Sequence, residues 1–532
     1  MSLKRVGLER WGSCLERRGP ALLIVSAFLA PLVGGCSNDP PPAEDYATLS
    51  ELYDSKKCAT CHPKHYDEWS ASMHAYAAED PVFLAMNRRG QEETDGGLGS
   101  LCVNCHAPLA VRTGLTTDGL NLADVPAELR GVTCYFCHNV ESVEGTHNNP
   151  LRLSDDVTMR ARIDNPVENG AHRSEYSAFL AGDQPESAAM CGSCHDIVVP
   201  SPPAPVAPVA LERTFTEWQT SVFAPENAPS PSASSTCSSC HLPTVTTEPI
   251  APSGPKRARH SHHMASVDSA LTPFPDTGNS ARDVELAAEQ GERRRQILDP
   301  TVRVEICVQR LSDTESAVHV TLDNANAGHN FPSGASQDRR AWTEVIAYQG
   351  DAILYRSGVV PDGEAASVDT DPDLWLLRDQ TFDENGNEAH MFWNVAEIHD
   401  KTLPVQVTAN PADADYYKSH LRRRFPLTAG ASIAGVPDRV TVRLRLVPIG
   451  FEVLDDLIGS GHLDAAVRSA MPTHDLLTFR HEDFTSEPEL AGLNTVSMEW
   501  SAASRASSRF VSRDDFTQTP PWECVAMPRR QR

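Results

Sequence analysis

Cys58-Ala59-Thr60-Cys61-His62 is the first of five copies of a Cys-x-x-Cys-His motif in this chain of 532 residues. The copies occupy residues 58–62, 102–106, 134–138, 191–195 and 237–241. They contain ten of the 14 cysteines, and a histidine follows the second cysteine of every copy. One copy would arise by chance with a probability on the order of a hundredth in a chain of this composition, so five copies indicate a shared chemical purpose.

The spacing within the motif suits the covalent attachment of haem. Two thiols three positions apart on a turn reach the two vinyl groups of a porphyrin, and the next histidine is then placed to bind the iron axially. The predicted thioether cysteines are Cys58, Cys61, Cys102, Cys105, Cys134, Cys137, Cys191, Cys194, Cys237 and Cys240. The predicted proximal iron ligands are His62, His106, His138, His195 and His241. The sequence therefore predicts five covalently bound c-type haems in a domain of short α-helices and loops over residues 51–265.

Two other uses of paired cysteines fit the motif less well. Zinc ribbons need no histidine after each second cysteine. A disulfide scaffold has no reason to repeat that histidine either. Since all five copies carry the histidine, haem is the preferred interpretation.

Histidines outside the motifs are candidates for the sixth ligand of each iron, and their surplus favours bis-histidine haems of low potential. His74 lies on a stretch with a helical pattern over residues 63–79. It is expected to ligate a neighbouring haem, because a helix so close to its own motif cannot easily fold back. His172 precedes a short predicted helix over residues 174–180 and is a second candidate.

Two further candidates lie in irregular segments. His147 lies in the turn-rich sequence of residues 145–150. The run over residues 260–264 is expected to supply one ligand, from His260, His262 or His263. His65, three residues after His62, is expected to point into solvent.

The first 35 residues have the pattern of an export signal. Basic residues precede an apolar run over residues 21–33, which is too short to span a bilayer as a stable helix. The run ends in Val33-Gly34-Gly35-Cys36, which looks like a bacterial lipobox with Cys36 as the lipidated residue; the alternative is an ordinary signal peptide cut near Gly35. We therefore expect a signal peptide over residues 1–35, a lipidated tether over residues 36–50, and an exported lipoprotein on the periplasmic side or at the outer membrane and cell surface.

The charge balance excludes some classes of partner. The chain has 72 acidic against 46 basic residues, a formal net charge of -26. Nucleic acid and anionic lipid need basic patches for counterion release, so neither is expected as the main partner. Redox proteins with basic docking surfaces, other cytochromes among them, are expected instead. Membrane attachment is expected only through the lipid on Cys36.

The spacing of apolar residues changes after the segment that contains the five motifs. A polar helical stretch over residues 283–297 belongs to a helical connector predicted over residues 266–300. Residues 342–355 have the pattern of a hairpin, and residues 452–469 that of a helix interrupted at Gly459-Ser460-Gly461. Apolar and polar residues alternate over residues 302–309, 318–322 and 440–446. Residues 301–532 are therefore predicted to form a mainly β domain, an antiparallel sandwich.

Two cysteines remain outside the motifs and the export signal. Cys307 falls on the polar face of its predicted strand, and Cys524 lies near the C-terminus. Outside the cytoplasm two leftover thiols pair more often than not, so a disulfide between Cys307 and Cys524 is predicted.

The succession of these features resembles a known family. Cys58-x-x-Cys61-His62 with downstream Trp69-x-x-Ser72-x-His74-Ala75, then Cys191-Gly192-Ser193-Cys194-His195-Asp196, looks like the exported multihaem cytochromes of the cytochrome c-554 type. Ala327-Gly328-His329-Asn330-Phe331-Pro332-Ser333-Gly334 resembles a stretch of the larger members. In such proteins the histidine of Gly-His-x-x-Pro-x-Gly is a distal ligand presented by the second domain, which implies His329 here.

One position departs from the family. Leu242-Pro243 follows the fifth motif where relatives often have methionine and then proline, so no methionine ligand is expected there. With His329 the candidate distal ligands number five for five irons: His74, His147, His172, one histidine of residues 260–263, and His329.

The leading function is electron transfer along a chain of bis-histidine haems, with the chemistry residing in the cofactor. The alternative is a multihaem oxidoreductase in which one haem keeps an open position for a small nitrogen or sulfur compound. Against the alternative, the chain has no Cys-x-x-Cys-Lys motif and no eight-haem complement. A third hypothesis treats the β domain as a module that docks the cytochrome on a cell-surface complex.

Overall fold

The computed structural model describes residues 46–167, 169–246, 248–251, 254–476 and 496–502, all within one unit of the chain, residues 45–532. The predicted signal peptide, Cys36 and Cys524 lie outside the described residues, as does most of the predicted tether. These assignments therefore stay predictions. Within the described residues, no helix has both the length and the apolar character needed to cross a membrane.

Short helices dominate the first half of the chain. The helices are α1 (Leu49–Tyr53), α2 (Ser55–Cys58), α3 (Pro63–Ser70), α4 (Met73–Tyr76), α5 (Pro81–Glu93), α6 (Val103–His106), α7 (Pro108–Arg112), α8 (Cys134–His138), α9 (Pro185–His195), α10 (Thr214–Thr220), α11 (Cys237–His241), α12 (Ser280–Leu298), α13 (Phe451–Gly459) and α14 (Ala465–Arg468). The helix predicted over residues 63–79 is divided, because Ser72 caps α4 by accepting a hydrogen bond from the N–H of Ala75. The prediction for residues 283–297 is confirmed by α12.

Strands fall into small ladders in the first half and into two larger sheets in the second. The strands are β1 (Val140–Val143), β2 (Leu151–Leu153), β3 (Thr158–Ala161), β4 (Arg173–Tyr176), β5 (Asp196–Val199), β6 (Val209–Arg213), β7 (Thr244–Val245), β8 (Arg259–His260), β9 (Val302–Arg310), β10 (Glu315–Asn324), β11 (Arg340–Gln349), β12 (Ala352–Ser357), β13 (Trp375–Leu377), β14 (Asp379–Phe382), β15 (Glu397–Asp400), β16 (His420–Phe425), β17 (Ile433–Ala434), β18 (Arg439–Val447), β19 (His474–Leu476) and β20 (Met498–Ser501). The helix predicted over residues 174–180 is wrong, because β4 pairs with β3 and only a 3-10 turn, Ala178–Leu180, follows.

The described part of the second half contains two larger antiparallel sheets and a two-stranded one, made of β14 and β15. One of the larger sheets is made of β9, β10, β16 and β17, and the other of β11, β12, β13, β18, β19 and β20. The predicted hairpin over residues 342–355 is confirmed by β11 and β12, whose turn contains Gly350 at a φ of +56°, a region that favours glycine. Buried side chains of both sheets, such as Val304 and Val318 from one and Val345 and Val442 from the other, belong to one apolar core. This is the two-layer packing that period-two alternation predicts.

The first half packs directly on the β-rich part. Val82 and Leu98 share an apolar cluster with Phe451 and Leu454. The indole Nε1 of Trp393 donates to Glu93 at the end of α5, over 2.8 Å. The two halves are therefore in direct contact, through apolar packing and through a hydrogen bond.

Cys307 forms a disulfide bond whose partner is not among the described residues. The guanidinium of Arg422 lies 3.0 Å from its sulfur. Because Cys524 lies outside the described residues, the Cys307–Cys524 pairing stays a prediction.

Candidate haem-binding site

All five motifs open into one cavity of about 1690 Å³. Both cysteines and the histidine of every copy line it. A pocket for one small ligand has a volume of roughly 300–1,000 Å³. The cavity is therefore larger than a site for a single small molecule, and the motifs share it.

Helical structure at the motifs places the two thiols of a motif on the same side. The third and fifth motifs form α8 and α11, the second forms α6 after Cys102, and the fourth ends α9. Residues three apart on a helical turn lie on the same face. Thr133 and Thr236 cap α8 and α11 by accepting hydrogen bonds from the N–H groups of Phe136 and Ser239. In the fourth motif, a side chain at Gly192 would overlap Phe215, so glycine permits the close packing of α9 on α10.

Contacts between cysteine thiols show which motifs are neighbours. The thiol of Cys58 lies beside that of Cys134, which places the first motif next to the third. The fourth motif lies beside two others, because the thiols of Cys105 and Cys194 are neighbours and so are those of Cys191 and Cys237. The Cys137 thiol is close enough to the fourth motif for its cysteines to act on the Cys137 pKa, which burial raises to about 12. The fourth motif is thus the centre of the group.

Hydrogen bonds orient the motif histidines. In four of them Nδ1 lies within hydrogen-bonding distance of a backbone carbonyl, so that Nδ1 carries the proton and Nε2 is left to bind metal. The four contacts are His62 with Ile250 at 3.0 Å, His106 with Ala77 at 2.8 Å, His138 with Arg160 at 2.6 Å and His241 with Ala265 at 2.8 Å.

Three motif histidines face a second histidine at the spacing of axial ligands. Two imidazoles on opposite sides of one metal ion, each bound over about 2 Å, have ring centres roughly 6 Å apart. The observed distances between ring centres are 6.5 Å for His62 and His172, 6.1 Å for His138 and His262, and 6.1 Å for His195 and His74. Residues far apart in sequence are thus paired across the cavity.

His329 lines the same cavity, and the imidazoles of His241 and His195 both act on its pKa, His241 the more strongly. Its Nδ1 lies 2.8 Å from the carbonyl of Asn330, so Nδ1 carries the proton and Nε2 is the nitrogen that can bind metal. Glu217 holds this loop, because its Oε2 accepts hydrogen bonds from the hydroxyl of Ser333 over 2.6 Å and from the N–H of Asn330 over 3.1 Å. Burial raises the pKa of Glu217 to about 7.

The structure does not bring every candidate histidine to a motif. His147 is exposed, beside the hydroxyl of Thr146, and is not part of the cavity wall. His263 is buried outside the wall, with Nδ1 3.2 Å from the amide oxygen of Gln290. His260 lines the cavity, but its Nε2 accepts the N–H of Gly182 and its Nδ1 lies against a carbonyl.

His106 and His65 have surroundings that the sequence did not predict. Among the described residues no ring contact joins His106 to another histidine; Phe83 stacks on it instead, with ring centres 3.9 Å apart. His65 lines the cavity, 4.9 Å from the ring of His262, and the prediction that it points into solvent is wrong. Because α3 begins directly after His62, the first turn of the helix keeps His65 beside the cavity.

Burial keeps the facing histidines neutral, and the neutral imidazole is the form that binds metal. Burial lowers the pKa of His74 to about 3 and the pKa values of His262 and His329 to about 4. His262 is also fixed by its backbone, because its N–H donates to Glu68, which forms a buried ion pair with Arg259.

The donor set fits covalent haem. Each motif presents two thiols and an imidazole to the cavity, and in four motifs the imidazole has Nε2 free, which is the arrangement of a c-type cytochrome. Residues 57–139, which contain the first three motifs, match the model of the family described as Cytochrome c554 and c-prime. This part of the chain is therefore similar to that family, and the match supports covalently bound haem and a haem-based role in electron transfer. No curated protein matches the chain.

Proposed function

We propose that the protein is an exported, membrane-anchored pentahaem c-type cytochrome that transfers electrons along a chain of haems to or from redox protein partners. The observation that carries this proposal is the single cavity lined by the cysteines and histidines of all five motifs. Neighbouring motifs touch through their thiols, so five haems attached there lie close to one another.

The residues of this chain hold and orient the cofactors. Haem supplies a one-electron change at iron. We assign the distal ligands His172 to the first motif, His262 to the third, His74 to the fourth and His329 to the fifth, from the ring spacings and from the shared wall of His329 and His241. Backbone carbonyls at Nδ1 fix the ring planes of His172, His262 and His329, and thioether bonds to the motif cysteines would hold the porphyrins. The thiol contacts order the path as first, third and fourth motif, with the second and fifth beside the fourth.

One observation favours the alternative function. His106 has no histidine across from it within the described residues, and His147, the remaining candidate, is exposed. A haem on the second motif would therefore have no second histidine ligand from the described residues. The position opposite His106 fits a multihaem oxidoreductase acting on a small nitrogen or sulfur compound.

Electron paramagnetic resonance of the oxidised protein, together with the intact mass, tests these assignments. We expect the mass of five haems, four low-spin bis-histidine signals and one high-spin signal from the second motif. Conversion of the high-spin signal by a small ligand such as nitrite would support the oxidoreductase alternative. Five low-spin signals would remove that alternative, and fewer than five haems would overturn the pentahaem proposal.

The proposed partners and location rest on charge and on the export pattern. A net charge of -26 favours docking to basic redox proteins, and such docking slows as salt is raised. The lipid on Cys36 would hold the protein at the outer membrane or on the periplasmic side.

Replacing Glu217 by alanine is expected to convert the haem of the fifth motif from low spin to high spin in part of the molecules. The change removes the acceptor that holds the loop bearing His329. E217Q keeps an acceptor oxygen and is the matched control, expected to retain the wild-type spectrum. An unchanged low-spin spectrum in E217A would contradict the positioning role of Glu217.

A further inference from the structure

Met264 lies beside the histidine that faces the central motif. It lines the cavity, and its sulfur contacts Nδ1 of His74. His74 faces His195 with ring centres 6.1 Å apart. If Nε2 of His74 binds the iron, the Nδ1–H points at a thioether.

The other assigned distal histidines have a different neighbour at Nδ1. In each of them a backbone carbonyl oxygen is the acceptor, at 3.1 Å for His172, 2.9 Å for His262 and 2.8 Å for His329. A thioether sulfur is a weak acceptor, whereas an amide carbonyl is a strong one. His74 is thus distinguished from the other three by the kind of atom at its Nδ1, a thioether sulfur 2.6 Å away instead of a carbonyl oxygen.

The backbone of Met264 is also unusual. Its φ is +44°, in the left-handed region, and the other four non-glycine residues described with positive φ are all aspartate or asparagine, which tolerate that region. Methionine gains nothing from this conformation by itself, so the surroundings hold it there. On one side of Met264 lies His263, which is bonded to Gln290; on the other lies Ala265, whose carbonyl orients His241. The strained residue is the one whose side chain reaches His74.

We propose that Met264 raises the reduction potential of the haem on the fourth motif above those of the other bis-histidine haems. The proposal rests on the proposed ligation of that haem by His74. A strong acceptor at Nδ1 increases the basicity of an imidazole and stabilises ferric iron, so a weak acceptor leaves the ferrous state relatively favoured. Because the fourth motif lies beside the third and the fifth, electrons entering from either of them collect at this haem.

The test is a redox titration of the full-length holoprotein, followed by electron paramagnetic resonance so that each low-spin haem is measured separately. M264Q places an amide oxygen at a similar reach and is expected to lower one midpoint potential, that of the highest-potential bis-histidine haem, and to leave the others unchanged. M264L removes the sulfur and adds no acceptor, so the same midpoint is expected to stay or rise. M498L, at a methionine buried in the core of the two sheets and outside the cavity wall, is the control and is expected to leave this midpoint unchanged.

Identical midpoints in M264Q and M264L would overturn the proposal. If M264Q does not assemble five haems, M264L alone tests the proposal. A fall in the highest midpoint potential of M264L would contradict the role of the Met264 sulfur as a weak acceptor. H74A separates this proposal from the ligand assignment. If the low-spin signal of the highest-potential haem survives in H74A, the ligation is wrong; if it is lost and M264Q shifts nothing, only the role of Met264 fails.

Discussion

Replacing Cys191 and Cys194 together by serine is expected to remove one haem of five and to separate the remaining haems into groups that no longer exchange electrons rapidly. The fourth motif contacts the second and fifth through its thiols and lies beside the third. Without its haem, the first and third haems lose their path to the second and fifth. The intact mass gives the haem count, and the re-equilibration of haem absorbance after partial flash reduction gives the internal transfer rate.

The matched control is the double replacement of Cys102 and Cys105 by serine. This variant also loses one haem, but it leaves the path from the first motif through the third and fourth to the fifth. We expect internal equilibration among the four remaining haems to continue at a rate close to that of the unmodified protein. Equal slowing in both double variants would contradict the central position of the fourth motif.

Replacing His329 by alanine is expected to convert one of the four low-spin signals to high spin. The imidazole is half-buried in the cavity wall, neutral and hydrogen bonded through Nδ1, so the substitution removes its Nε2 from the cavity. Alanine at this position supplies no ligand for iron. Electron paramagnetic resonance or resonance Raman of the oxidised protein measures the change directly.

H147A is the control for the His329 substitution. His147 is exposed and outside the cavity wall, so its removal is expected to leave every spin state unchanged. If all four low-spin signals persist in H329A, the assignment of His329 as a distal ligand is wrong. A new high-spin signal in H147A would show that His147 is a distal ligand.

Much of the secondary structure follows from local pattern. The alternation around Val304 and Val442 predicts the strands β9 and β18, because a half-buried strand alternates its side chains between core and solvent. The helical pattern gave wrong predictions where a helix cap or a strand pairing overrode it. Ser72 caps a new helix within the predicted helix over residues 63–79, and pairing with β3 makes a strand of residues 173–176.

The sequence by itself determined the covalent chemistry, because both thiols and the histidine of a motif lie within five consecutive residues and are brought together by one helical turn. Only the tertiary structure decided which histidine faces which motif. His74 reaches His195 across 121 positions of the chain, and His172 rather than His147 lies opposite His62. Such pairings depend on the packing of separate segments around a common cavity, and no local spacing encodes them. The left-handed backbone that presents Met264 to His74 is fixed by the same packing.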